Sequence, residues 1–329
     1  MGEAPAYPPQ SAGARMVSSV PVAREEATVG EVLGLIVAPD SPRWDALTYT
    51  LVLDDEGRLV GLVTIEQLSN TPPDTQLSAV MRRDVASVAP EADQEEAVRV
   101  AISRGLDAVP VVEADGEVLG AIDEDAILRI LHEEHVEDML LQSGVRPEPG
   151  FDIAGATAPQ LVRRRLPWLV VGLAGGMLAT EVVRGFEATL QRRLELAFFI
   201  PVIVYMADAV ATQTETIFIR SMATGSLDVR RYVVREQGIG ALIALASAAL
   251  MAAFAQLRFG EPRISAIVGL SMLASIFAGV SIAVLIPWAL ARLGKDPAYG
   301  AGPFATIVQD VLSIVIYFVV ATAVLFAAA

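Results

Sequence analysis

Two hydrophobic rhythms divide this chain. From residue 166 onward the apolar positions merge into five long runs, at 166–183, 196–219, 238–257, 264–290 and 303–329. At 1.5 Å per residue, about 20 residues cross a hydrocarbon core of about 30 Å, so the pattern predicts five membrane-spanning helices. Before residue 166 the apolar stretches are short and separated by polar turns. Among them, residues 94–104 place Ala97, Val98, Ala101 and Ile102 on one helical face, and residues 125–143 read as one longer helix stopped by Gly144. A soluble α/β half followed by an all-α membrane half is the architecture expected.

The soluble half repeats itself. Leu53-Asp-Asp-Glu-Gly57-Arg-Leu-Val-Gly61-Leu-Val and Val112-Glu-Ala-Asp-Gly116-Glu-Val-Leu-Gly120-Ala-Ile match at a spacing of 59 residues. Each is an apolar strand, an acidic turn closed by glycine and a second apolar strand, the pattern of a hairpin. Each then enters an amphipathic helix, at Thr64-Ile-Glu-Gln-Leu and Asp123-Glu-Asp-Ala-Ile-Leu. With Val88-Ala-Pro-Glu-Ala-Asp and the helix over 94–104 ahead of the second copy, the unit becomes strand, helix, strand, strand, helix.

Charge sharpens the division. Residues 1–150 carry 28 acidic against 10 basic side chains, a net of −18, and residues 151–329 carry 11 against 14, a net of +3. An acidic soluble half disfavours nucleic acid and anionic headgroups and favours cations. The absence of cysteine excludes disulfides and thiolate metal sites. Residues 1–15, rich in Pro, Ala and Ser, lack the apolar core of a signal peptide and read as a disordered leader, which leaves the first half in the cytoplasm. No nucleophile–base pair, P-loop or ATPase motif occurs, so no enzymatic activity is expected.

The repeat, with Met81-Arg-Arg-Asp-Val-Ala-Ser-Val before its second hairpin and Ala108-Val-Pro-Val-Val at a central strand, resembles the CBS domain. The resemblance implies a tandem pair (a Bateman module), with the first copy over 16–72 and the second over 73–131. Such pairs regulate attached enzymes or transporters through adenosine nucleotides or metal ions. Nucleotide-binding copies carry Gly-h-h-Thr-x-x-Asp, whose Asp holds ribose. Here the first copy offers Thr64 but Gln67 at the ribose position, and the second offers Asp123 and Ala126. Both lack the ribose acid, which favours divalent cations over nucleotide. The carboxylates available to a regulatory cation are Asp54, Asp55, Glu56, Asp123, Glu124, Asp125, Glu133, Glu134, Glu137 and Asp138. His132 and His135 read as surface residues.

In the membrane half, two spans carry carboxylates deep within apolar sequence, and such residues normally face a bundle interior, a partner or water. Asp208 and Glu215 share a helical face with Tyr205 and Thr212, and Asp310 shares one with Thr306, Ser313 and Tyr317. Oxygen ligands without Cys or intramembrane His point to a hard cation, and Mg²⁺ is usually held by one or two carboxylates with several waters retained. Counting Lys and Arg at the span ends gives nine on the side of the N-terminus and five on the other, which supports a cytoplasmic N-terminus and an outside C-terminus in the inner membrane.

The membrane half is similar to the MgtE transmembrane domain in Arg165-Leu-Pro-Trp-Leu-Val, Gly175-Gly, Phe186-Glu-Ala, Phe199-Ile-Pro201, Thr212-Gln213, Arg220-Ser-Met-Ala-Thr-Gly225, Pro287, Asp296-Pro297-Ala, and Pro303 with Thr306, Asp310 and Tyr317. The helix over 126–145 looks like that family's connecting segment, joined by a linker over 146–165 to a transmembrane domain over 166–329. The resemblance implies a homodimeric, channel-like Mg²⁺ transporter in the lipid bilayer, with CBS pairs that close the pore when cytosolic Mg²⁺ is high. It also implies that Asp310 selects the ion, with Gln213 retained nearby. The family's Gly-Gly-Asn-x-Gly-x-Gln is here Ala207-Asp-Ala-Val-Ala-Thr-Gln213, so Asp208 adds a carboxylate. The family's helical N-terminal domain is not expected ahead of this CBS pair. Two alternatives stay open: transport of Co²⁺, Mn²⁺ or Zn²⁺, and a membrane-anchored CBS sensor that does not conduct.

Overall fold

The computed structural model describes residues 7–39, 41–145, 155–223, 228–300 and 302–326. The expected linker lies outside them as far as residue 154, as do the last three residues of the fifth apolar run. The chain forms two compact units that divide after His135.

The first unit opens with α1 (Ala12–Arg15), β1 (Val22–Arg24) and α2 (Val29–Val37), followed by the hairpin β2 (Tyr49–Leu53) and β3 (Leu59–Thr64). Then come α3 (Ile65–Ser69), α4 (Leu77–Val80), α5 (Gln94–Arg104), the hairpin β4 (Val109–Val112) and β5 (Val118–Ile122), and the start of α6 (Glu124–Gln142). β1 runs parallel to β2, and β2 antiparallel to β3. The register slips between Val52 and Leu53 in one hairpin and between Val111 and Val112 in the other, so the two copies share a bulge as well as a sequence.

The copies interlock by exchanging edges. Val17, at the start of the first copy, pairs with Ala121 of the second hairpin, and Arg82, ahead of α5 in the second copy, pairs with Leu62 of the first hairpin. One core gathers Leu51 and Leu62 with Ala108 and Ala121, so neither copy closes its core alone. Residues 12–15, expected in a leader, instead form α1. Ser11 caps it, and Ala12 is fully buried against Val98, Ala101 and Ile130, because a short apolar turn there completes the second copy's core. Ile102 is the exception on the α5 face: it is 48% exposed, while Ala97, Val98 and Ala101 are buried.

The second unit contains the end of α6, then α7 (Ala158–Gly185), α8 (Glu187–Arg192), α9 (Ile200–Ala223), α10 (Val229–Phe259), α11 (Pro262–Arg292) and α12 (Pro303–Phe326). Among the described residues, five segments are long and apolar enough to cross a membrane, with a 3₁₀ turn at Leu194–Phe199 preceding α9. α11 packs between α10 and α12, and α12 also packs on α7. At one end of the bundle Leu141 of α6, Ile219 of α9 and Ala298 form a small core. At the other end, Phe186 stacks on Phe318 with centroids 5.0 Å apart. Spans with little polar surface gain little from burial against lipid, so close backbone approach decides how they associate.

Candidate functional site

The intramembrane carboxylates gather where α9, α11 and α12 meet. Gly279 of α11 makes the junction possible: a β-carbon there would stand 3.0 Å from Cδ of Gln309 and 3.2 Å from the Ala207 carbonyl. With no side chain on α11 at this level, Gln309 of α12 reaches inward and Asp208 sits beside α12. The Thr306 hydroxyl stands beside the half-buried Asp208 carboxylate. Asp310, one turn beyond Thr306, is also half-buried and feels the Asp208 charge, as does Glu215.

Glu215 is buried beside the backbone N–H of Gly302, and its Oε1 has no hydrogen-bond partner among the described residues. Gln309 is buried as well. Its amide nitrogen donates to Ser313 Oγ at 3.4 Å, and its Oε1 is left without a partner. Buried polar atoms of this kind cost free energy unless water or an ion meets them.

Asp208, Thr212, Glu215, Thr306 and Gln309 line a cleft of about 10 Å³ with Ala211, Ile282, Ala283 and Ala305. That is near the least space that admits one water, while a hydrated divalent ion carries about six. A hydrated cation therefore does not fit inside the cleft of one chain. The open edge of the cleft offers more: Thr212 and Gln213 are exposed on α9, and Asp310 is half-exposed on α12. No three His, Cys, Asp or Glu among the described residues stand close enough to hold a metal within one chain.

The two polar stripes read from the sequence separate on inspection. On α12, Thr306 and Asp310 lie at the open edge, while Ser313 and Tyr317 turn fully into the bundle. The Tyr317 hydroxyl donates to the Leu196 carbonyl at 2.6 Å, which fastens α12 to the turn before α9. On α9, Tyr205 is 68% exposed and faces away from the Asp208–Glu215 junction. Gln309, Gly279 and Gly302 belong to the site and were not singled out from the sequence. Gln309 was visible as a polar residue inside an apolar run, whereas the glycines acquire meaning only from what lies across from them.

The last turn of α6 reaches this neighbourhood. Gly302, with φ of +77°, lies against the Gln142 carbonyl so closely that no β-carbon fits, and Gly144 lies against Pro303. The residue whose N–H stands beside Glu215 is thus also the one on which α6 rests.

The acidic residues of the first unit are spread over separate surfaces. Asp54 bonds Arg58 through the backbone N–H at 2.8 Å and the guanidinium at 2.9 Å, and Glu56 pairs with the same arginine at 3.1 Å. Hydrogen bonding, first from the Arg58 backbone, holds the Asp54 carboxyl below its ordinary range. Asp55 pairs with Arg24 at 2.9 Å. Asp123 accepts from the Ala126 N–H at 2.8 Å and begins α6, with Glu124 and Asp125 exposed on its first turn. Glu133 pairs with Arg15, and Glu134 accepts from Gln94, tying α6 to α1 and α5. Glu137 and Asp138 lie partly buried further along α6, in the second unit. His132 and His135 are exposed.

Thr64 caps α3. Its hydroxyl accepts from the Gln67 N–H, and Gln67 Oε1 accepts from the Thr64 N–H at 2.9 Å. Both line a cleft of about 160 Å³ with Tyr49, Arg82 and Asp107, where burial pushes the Tyr49 hydroxyl above its ordinary pKa.

Interlocked α/β repeats followed by five apolar helices with carboxylates at one junction define a multi-pass membrane protein of the ion-transporter class. Comparison with known proteins places it further. The family model described as MgtE divalent cation transporter matches residues 200–320, and the CBS domain model matches 12–71 and 77–133. The magnesium transporter MgtE of Thermus thermophilus is 32% identical over 96% of this chain and 70% of its own length. The magnesium transporter MgtE of Bacillus subtilis is 27% identical over 96% and 70%. Among solved structures, the cytosolic domain of the Mg²⁺ channel MgtE in complex with ATP is 31% identical, covering 38% of this chain and 50% of that one, with a TM-score of 0.35. The chain belongs to the MgtE family.

Proposed function

We propose that the protein is a passive Mg²⁺ channel of the inner membrane, working as a homodimer with its CBS pair in the cytoplasm and its C-terminus outside. The observation that carries this reading is the meeting of Asp208, Thr306 and Asp310 on an open edge of α9 and α12, in a chain of a divalent cation transporter family. The edge supplies only oxygen ligands. One or two carboxylates with hydroxyls suit an ion that keeps most of its waters.

A cleft too small for a hydrated ion in one chain favours a pathway between two copies, each contributing the edge of α9 and α12. Like charges facing each other there repel, and a passing divalent cation relieves that repulsion. Asp310 is the residue we assign to ion selection, with Asp208, Thr306, Thr212 and Gln213 beside it. Ser313 and Tyr317 hold α12 in place, and Glu215 answers to the end of α6 through Gly302.

Gating follows from the same contact. Cytosolic Mg²⁺ held by carboxylates of the CBS pair and α6 changes the position of α6, and the change reaches Gly302, Pro303 and the start of α12. The scattered acidic residues of one chain favour shared cation sites completed by a second copy.

The test is Mg²⁺ entry into liposomes containing only the purified protein, driven by an outside-high Mg²⁺ gradient without nucleotide. Entry that stops when the gradient is removed supports a passive pathway. No entry above empty liposomes would overturn the proposal and leave a sensor that does not conduct. Parallel runs with Co²⁺, Mn²⁺ and Zn²⁺ assign the preferred ion.

A further inference from the structure

The bundle carries a second feature, away from the carboxylates. Between α10 and α11, at the end where α10 begins and α11 finishes, lies a groove of about 510 Å³. Its walls are Val233, Val284, Leu285 and Trp288, and its mouth is set by Arg230 and Arg292. Leu285 is 57% exposed, so the groove opens outward from the bundle and, in a spanning helix, toward lipid.

The arginines are not spent on protein carboxylates: neither has an acidic partner among the described residues. Arg292 lies over the Trp288 ring at 4.9 Å, which fixes one wall of the mouth. Seven residues, about 10 Å of helix rise, separate Arg230 from Gln237, the deepest polar residue of the groove. Gln237 donates to Ser281 Oγ at 3.0 Å, which closes the inner end with a bond across the two helices.

We propose that this groove is a binding site for an anionic phospholipid. One acyl chain lies along Val233, Val284 and Leu285, and the headgroup phosphate and its neighbouring oxygens accept from Arg230 and Arg292. Guanidinium groups present paired donors that match a phosphate, and basic side chains at this depth attract anionic lipid. Net headgroup charge is the discriminating feature. The groove is lined by two cations and no carboxylate, so nothing in it receives the ammonium of a zwitterionic headgroup. Glu236, adjacent in sequence, is buried and paired with Arg235 at 3.2 Å.

The experiment is native mass spectrometry of the full-length protein released from nanodiscs holding equal amounts of phosphatidylglycerol and phosphatidylcholine. Wild type is expected to retain phosphatidylglycerol in about tenfold excess, a preference that two charge contacts at the membrane surface supply. Arg230→Gln with Arg292→Gln should bring the ratio close to one, with unchanged secondary structure by circular dichroism. Leu285→Trp, which fills the groove and leaves both arginines, should lower retention of the anionic lipid as well. The paired control Arg258→Gln with Arg263→Gln, at the other end of the bundle, should keep the wild-type ratio. Equal retention of the two lipids by wild type would overturn the site, as would a preference that survives the Arg230/Arg292 change or disappears in the control.

Discussion

Asp208 and Asp310 differ in their company, and that difference gives them separate tasks. Asp208 stands beside the Thr306 hydroxyl at the edge of the cleft, while Asp310 lies at the open edge of α12 and feels the Asp208 charge. Asp208→Asn keeps the size of the side chain and removes the charge, so it should change the order of Mg²⁺, Co²⁺ and Mn²⁺ fluxes without abolishing transport. An unaltered order would assign Asp208 to packing. Tyr317 is a different kind of polar residue. Tyr317→Phe removes the buried bond to the Leu196 carbonyl, at a cost of about 0.5–1.5 kcal/mol. The variant should melt at a lower temperature in detergent with the wild-type ion preference, and a shifted preference would return Tyr317 to the pathway.

At the scale of elements, the hairpin at Asp54–Arg58 shows how the acidic repeat is stabilised. Because hydrogen bonds depress the Asp54 pKa in the folded protein, its contribution is complete above the unfolded value of about 3.9 and is lost as pH falls through the lower folded value. Melting of the first unit should therefore weaken on acidification in wild type, and Asp54→Asn should flatten that part of the dependence. Equal slopes would show that Asp54 adds nothing.

Elements of this kind were legible in the sequence. The glycine-closed turns at Gly57 and Gly116 and the apolar runs fixed hairpins and spans, because local periodicity determines both. The helix α1 was not legible, since four residues carry no period and its reason is the core of the second copy. The membrane stripes were half legible. A spacing of three and four places Asp310 and Tyr317 on one face, but only the packing of α11 and the turn before α9 decides which end of that face is covered. Gln309 and Gly279 define the junction through each other, a relation between α12 and α11 that no single run of sequence contains.

In the whole molecule, the proposed pore and its proposed regulator belong to different units. The end of α6 rests on Gly302 within the second unit, and the CBS pair completes its own cores within the first. Removing residues 1–131 should leave a conducting protein that Mg²⁺ on the cytoplasmic side no longer inhibits, measured as flux against internal Mg²⁺. Inhibition that survives the truncation would place the sensor in the membrane unit. The claim at the centre is that Mg²⁺ passes along the open edge of α9 and α12 under the control of Asp310. The direct measurement is Mg²⁺ influx into liposomes by wild type and Asp310→Ala, reconstituted at equal density and with matched melting temperatures. Influx in wild type and its fall by at least about tenfold in Asp310→Ala, the loss of roughly 1.4 kcal/mol or more of transition-state stabilisation, is the predicted result. Equal influx through the two proteins would contradict it.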